Sequence, residues 1–177
     1  MKSKIFSTLI ILGVLLFAGS ALTADGNPKV LLDTSKGKIV LELYPEKAPE
    51  TVKNFLNYVD EKFYDGTIFH RVIQDFVVQG GDASAKGITV QTIPDELPNK
   101  HNNTRGSVAM AKTSEPNSAT SQFYINLKDN PHLNANYSVF GRVIEGMAIV
   151  DAIGNVPTDT NYKPLQDVML IRAGFTD

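Results

Sequence analysis

The chain has 177 residues, 42% apolar and 20% charged, a balance that suits one globular domain and excludes wholesale disorder. Lys and Arg (17) nearly match Asp and Glu (19), so the net charge is −2; there is no basic excess to neutralise phosphates, and no nucleic-acid partner is expected. Cysteine is absent, which removes disulfides, thiolate metal sites and cysteine nucleophiles together.

The chain opens with Lys2 and Lys4, then runs without a charge from Ile5 to Ala24. Its apolar heart is Leu9 to Ala18, and small residues dominate from Gly19 to Ala24. A basic start, a short apolar core and a small-residue end make the layout of a secretory signal peptide. The pattern predicts a signal peptide over residues 1–24, cut after Ala24, with a cut after Ala21 as the alternative. An uncleaved anchor is the other reading. The apolar core is short for a bilayer span, which favours cleavage and no stable membrane insertion afterwards. Cleavage would leave residues 25–177 as one domain, with a net charge of −4 because two of the 17 basic residues are lost.

Strand signals dominate that domain. Val30–Leu32, the turn-forming Thr34–Gly37 and Lys38–Leu43 read as a hairpin. Pro49 opens a helix whose Val52, Phe55, Leu56 and Val59 form one apolar stripe. Thr67–Ile73 and Phe76–Gln79 follow as strands. The polar stretch Ser84–Arg105 reads as surface loop around a candidate strand, Ile88–Ile93. Later strands are expected at Ser107–Ala111, Phe123–Asn126, Tyr137–Val143 and Asp167–Arg172. A second helix fits Gly146–Ile153, closed by Gly154 and Asn155. About eight short strands with two helices leave too few crossovers for a parallel sheet. The fold class is mainly β, an antiparallel barrel or sandwich whose open ends the helices could plug.

The usual catalytic kits are missing. His70, His101 and His132 lack metal-ligand spacing, so no metal is expected. No nucleophile elbow and no phosphate loop occurs. Gly80-Gly81-Asp82 reads as a backbone turn. Polar residues inside apolar runs remain. Arg71 lies in Phe69-His70-Arg71-Val72-Ile73, where an arginine needs a partner or a solvated cleft; a strand-edge arginine bonded to a carboxylate is as good a reading. Gln122 and Tyr124 share one face of Ser121–Asn126, which could equally be a core strand with an exposed amide. Tyr137, Val139 and Phe140 are the bulky residues of Leu133–Gly141, which could equally be plain core.

The runs FHRVIQDFVVQGGD, Arg105–Ala111, SQFYI and YSVFGRV together resemble the cyclophilin family of peptidyl-prolyl cis-trans isomerases, from about Val30 to the C-terminus. Asn103-Thr104-Arg105-Gly106, Pro116–Thr120 and Lys128–Asn130 are most similar to the bacterial branch. The resemblance implies an eight-stranded antiparallel closed barrel capped by two helices, and with the leader segment a periplasmic location. It implies catalytic roles for Arg71 and for Gln79, which supports the arginine. It implies that Phe76 forms the floor of a proline pocket, with Val77, Tyr124 and Leu133 around it. Ala109 and Gln122 would hold the substrate peptide, and Tyr137 stands where many eukaryotic members have histidine. His132 falls where drug-sensitive members carry tryptophan, so weak cyclosporin binding is expected. The implied partners are proline-containing polypeptides, in unfolded or flexible segments of exported proteins.

Such a reaction makes and breaks no bond. The X-Pro amide resists rotation by about 20 kcal/mol because its C–N bond has partial double-bond character. Twisting localises a lone pair on the prolyl nitrogen, and a guanidinium bond to it strengthens in the twisted state. No cofactor is needed. Two other classes stay open: a proline-peptide binding module with incidental isomerase activity, and a lipocalin-like barrel with an apolar lumen. A monomer is expected, because no coiled-coil pattern or long apolar edge stands out.

Overall fold

A computed structural model describes residues 26–82, 86–98 and 101–177. The expected signal peptide lies outside the described residues. Strand β1 (Lys29–Thr34) pairs antiparallel with β2 (Gly37–Leu43) through a tight turn. There the Thr34 hydroxyl donates to the Gly37 carbonyl at 2.6 Å and accepts from the Lys36 N–H at 3.1 Å. Alternate residues of both strands, Val30 and Leu32, then Ile39, Leu41 and Leu43, are buried.

Helix α1 (Pro49–Asp60) buries Val52, Phe55 and Val59, as its apolar stripe predicts. Its capping residue Ala48 offers no side chain to the first N–H groups. Glu96, from the loop before β6, supplies the cap instead: its carboxylate accepts the Glu50 and Thr51 N–H groups, each at 2.9 Å. An anion at a helix N-terminus is favoured both by those unpaired donors and by the helix dipole.

Seven further strands follow: β3 (Thr67–Ile68), β4 (Arg71–Ile73), β5 (Val77–Gly80), β6 (Ser107–Met110), β7 (Phe123–Asn126), β8 (Val139–Glu145) and β9 (Met169–Thr176). Helix α2 (Met147–Gly154) lies between β8 and β9. Gly146, expected inside that helix, sits just before it in the left-handed region at φ 82°. The expected strand Ile88–Ile93 does not form. Ile93 makes only an isolated bridge to Ala119.

The architecture departs from the expected closed eight-stranded barrel. All nine strands join one strongly curled half-barrel in the order β3-β9-β1-β2-β8-β6-β7-β5-β4. The ninth strand arises because the run Thr67–Ile73, read from sequence as continuous, is cut at Phe69 and His70. Its first half pairs with β9 and its second with β5, so the halves end up on opposite edges of the sheet. Between them the backbone is held by the segment ahead of β9. The Phe69 N–H donates to Val168 O at 2.9 Å and the Val72 N–H to Tyr162 O at 2.8 Å.

The concave side is filled by the main core. Phe55 meets Phe123 edge-on at 5.5 Å and Phe140 at 5.1 Å, and all three are buried. Among the described residues, that packing fills the space that a lipocalin-like carrier would keep open as a lumen. A second, smaller cluster of Val77, Ala109, Tyr124 and Val139 lies apart from it, with Phe76, Ala111, Leu133 and Tyr137 packed on its rim.

Candidate active site

The second cluster is organised by strand register. Arg71 pairs with Gln79 across β4 and β5, Gln79 with Tyr124 across β5 and β7, Tyr124 with Ala109 across β7 and β6, and Ala109 with Val139 across β6 and β8. Residues directly opposite in neighbouring strands point to the same face of a sheet. Five strands therefore contribute one transverse row, with a cation at one end and apolar groups at the other.

At the cationic end Arg71 Nη1 donates to Gln79 Oε1 at 3.1 Å, and Gln79 Nε2 donates to Gln122 Oε1 at 2.8 Å. The guanidinium is thus held by an amide and not by a carboxylate. Its charge is left uncompensated by that bond, and its remaining N–H groups can serve another acceptor. Gln122, read from the sequence as a residue on the Tyr124 face, closes this chain of amides.

Beside the guanidinium lies a cavity of about 150 Å³. Phe76, Val77, Tyr124, Leu133 and Tyr137 supply its apolar walls, with Arg71 and Gln79 at the polar side. Phe76 comes from the turn between β4 and β5, where Asp75 takes a left-handed φ of 56°. Its ring stacks on His132 at 5.7 Å, 15° from parallel. Leu133 is carried by a single 3-10 turn, Pro131–Leu133. Tyr124 meets Tyr137 edge-on at 5.8 Å, and its hydroxyl donates to Asn103 Oδ1 at 2.7 Å. Burial, reinforced by Tyr137, pushes the Tyr124 phenol far above its ordinary value, so it remains a neutral donor.

Seven of the nine expected site residues line the cavity, and Gln122 joins through Gln79. Ala109 does not line it. It is fully buried between β7 and β8, further along the same row. The lining position belongs instead to Ala111, just past the end of β6, together with Lys112. Lys112 pairs with Asp95 at 2.8 Å, both side chains largely buried. Sequence reasoning passed over that pair because its partner lies 17 residues away in a loop without periodicity. His70, next to Arg71, is partly buried, with Nδ1 lacking a hydrogen-bond partner. Burial lowers its pKa first of all, with Arg71 adding to the lowering while Asp82 and Gln122 oppose it.

The chain matches the family model "Cyclophilin type peptidyl-prolyl cis-trans isomerase/CLD" over residues 29–175. It is 50% identical over 174 residues to a peptidyl-prolyl cis-trans isomerase of Acinetobacter baylyi, covering 92% of this chain and 91% of the relative. It is 46% identical over 156 residues to peptidyl-prolyl cis-trans isomerase B of Escherichia coli, covering 80% and 95%. Among solved structures, a cyclophilin type peptidyl-prolyl cis-trans isomerase of Cryptosporidium parvum aligns with a TM-score of 0.80 at 30% identity, covering 85% of this chain and 98% of that one. The same enzyme solved in the presence of the dipeptide Ala-Pro aligns at 0.79 and 31%, covering 84% and 99%. An ordered row of polar and apolar groups, a half-barrel of matching shape and a family model spanning nearly every described strand lead to one conclusion: the chain belongs to the cyclophilin-type peptidyl-prolyl cis-trans isomerases and is an enzyme of that class.

Proposed function

We propose that the enzyme catalyses X-Pro rotation non-covalently, with Arg71 as the catalytic residue. The pyrrolidine ring seats in the cavity walled by Phe76, Val77, Tyr124 and Leu133, while the preceding carbonyl turns. Arg71 donates to the prolyl nitrogen as its lone pair localises, and Gln79 holds the guanidinium in place. The observation carrying this reading is the Arg71–Gln79 bond at the lip of an apolar cavity, where, among the described residues, the guanidinium is held by an amide and not by a carboxylate. The Ala-Pro dipeptide used with the Cryptosporidium parvum enzyme supports a prolyl ligand. NMR exchange on an X-Pro peptide tests it: Arg71→Ala, with an unchanged melting temperature, should lose at least about tenfold in kcat/KM. Wild-type turnover in a folded Arg71→Ala protein refutes the role.

The proposal extends to clients and compartment. The basic start and short apolar core of residues 1–24 support export to a periplasm, where the enzyme would act on flexible, proline-containing segments of exported proteins as they fold. Intact mass of the exported protein should show Asp25 at the N-terminus. A full-length species extracted only with membranes would overturn cleavage.

A further inference from the structure

The walls of the cavity converge on three asparagines beneath it. Asn103, Asn126 and Asn130 are each at most 1% exposed. Asn103 Oδ1 accepts from the Tyr124 hydroxyl at 2.7 Å and from Asn126 Nδ2 at 3.2 Å. Asn126 Oδ1 accepts from Asn130 Nδ2 at 2.8 Å, and that same Asn130 group donates to the Phe76 carbonyl at 3.2 Å. The Leu133 N–H donates to Asn130 O at 3.0 Å, and the Asn130 N–H to Asn103 O at 2.7 Å. The Asn103 N–H donates to Asn134 Oδ1 at 2.7 Å, one residue beyond Leu133. Tyr124, Phe76 and Leu133 thus arrive from a strand, a turn and a 3-10 turn, yet each is bonded to the same cluster.

Filling a buried space does not require amides. Apolar side chains of similar volume would do it without the cost of desolvation. The cluster is not even fully satisfied, since Asn130 Oδ1 has no partner. What amides add is direction: each bond fixes one wall at one distance and angle. None of these bonds reaches the Arg71–Gln79–Gln122 chain. The cluster therefore controls the shape of the socket and not the placement of the guanidinium.

We propose that Asn103 is a positioning residue for the prolyl ring. Through the Tyr124 hydroxyl on one side and Asn134 on the other, it locks the wall of the socket against the Leu133 turn. Its effect falls on affinity and not on the rotation step. This rests on the reading of the cavity as the prolyl socket.

The test combines NMR titration of Ala-Pro dipeptide with steady-state kinetics on an X-Pro peptide, for wild type, Asn103→Ala, Tyr124→Phe and the double variant. Asn103→Ala should raise KM and the dipeptide Kd by at least about fivefold while kcat moves less than about twofold, fivefold being the size expected from loss of the Tyr124 bond alone. Tyr124→Phe keeps the ring and deletes only the tether, so it should shift KM in the same direction even if Asn103→Ala fails to fold. The double variant should bind no worse than Asn103→Ala, because the Tyr124 hydroxyl bond is already lost in Asn103→Ala. An unchanged KM in folded Tyr124→Phe, additive losses, or equal losses in kcat and affinity would each overturn the proposal. Failure of Ala-Pro to perturb cavity residues in the wild type would sink the socket reading and this proposal with it. Normal wild-type binding with unaltered variants would sink this proposal alone.

Discussion

Gln79 is bonded on both sides: its carbonyl oxygen accepts from Arg71 at 3.1 Å and its amide nitrogen donates to Gln122 at 2.8 Å. The amide orientation is therefore set by Gln122, and it presents an acceptor to the guanidinium.

From this follows an ordering of variants. Gln79→Leu removes the acceptor but leaves the cation, so kcat should fall, by less than in Arg71→Ala. Arg71→Lys should rescue poorly, because a flexible ammonium lacks the planar fork that Gln79 orients. Turnover of Arg71→Lys close to wild type would show that charge alone suffices.

Gly146 should tolerate no side chain. It precedes α2 at φ 82°, and a Cβ there would run into the Lys38 carbonyl of β2. The left-handed backbone alone costs about 1–2 kcal/mol for a residue with a Cβ, and the clash adds to it. Chemical denaturation of Gly146→Ala should show a loss of at least about that size. A loss below half of it would mean that the β8–α2 connection shifts freely.

Stability should decline in mild acid. His70 has its pKa lowered from the ordinary 6.5, chiefly by burial, and His101 is lowered for the same leading reason with Lys47 adding. A group with a depressed folded pKa binds fewer protons in the native state. Its contribution is therefore complete above about pH 6.5 and is lost as pH falls from there through the folded value. The groups facing His70 are Asp82, Arg71 and Gln122. Melting temperatures taken between pH 7 and pH 5 should drop less steeply in His70→Gln than in wild type. Parallel curves would remove His70 from the account.

Cyclosporin should inhibit weakly. The ring stacked on Phe76 is the imidazole of an exposed His132, which offers less apolar area than an indole. His132→Trp should tighten inhibition while changing uninhibited kcat/KM far less, since the cavity is walled mainly by other residues. Paired inhibitor titrations of the two proteins decide it, and equal inhibition would defeat the prediction.

Several elements are legible in local sequence. Phe123–Asn126 forms as read, and the Val52–Val59 stripe buries as read, because each depends on periodicity within a single element. Residues sharing a strand face, such as Gln122 and Tyr124, could also be read as neighbours. The transverse row could not. It depends on the register of five strands, set by turns and bulges such as the shift between Val108 and Ala109 that decides what pairs with Val139. For the same reason Ala111 is not legible as a lining residue from the sequence. The split of Thr67–Ile73 was also hidden: its apolar pattern is continuous, and only the pairing of its first half with β9 and its second with β5 puts the halves on separate edges. Asn103 was visible as part of a motif, but its role lies in partners at positions 124, 126 and 134.

The same split has a bearing on self-protection. An enzyme that binds proline-containing peptides runs a hazard: any open strand edge is a template onto which a second backbone can zip. β3 and β4, the two terminal strands of the sheet, are only two and three residues long. β4 has its Val72 N–H already engaged by the Tyr162 carbonyl, and the Phe69 N–H between the two strands is taken by Val168. The strand that carries Arg71 thus offers a bound peptide no free ladder at Val72, which separates brief binding from edge-to-edge aggregation.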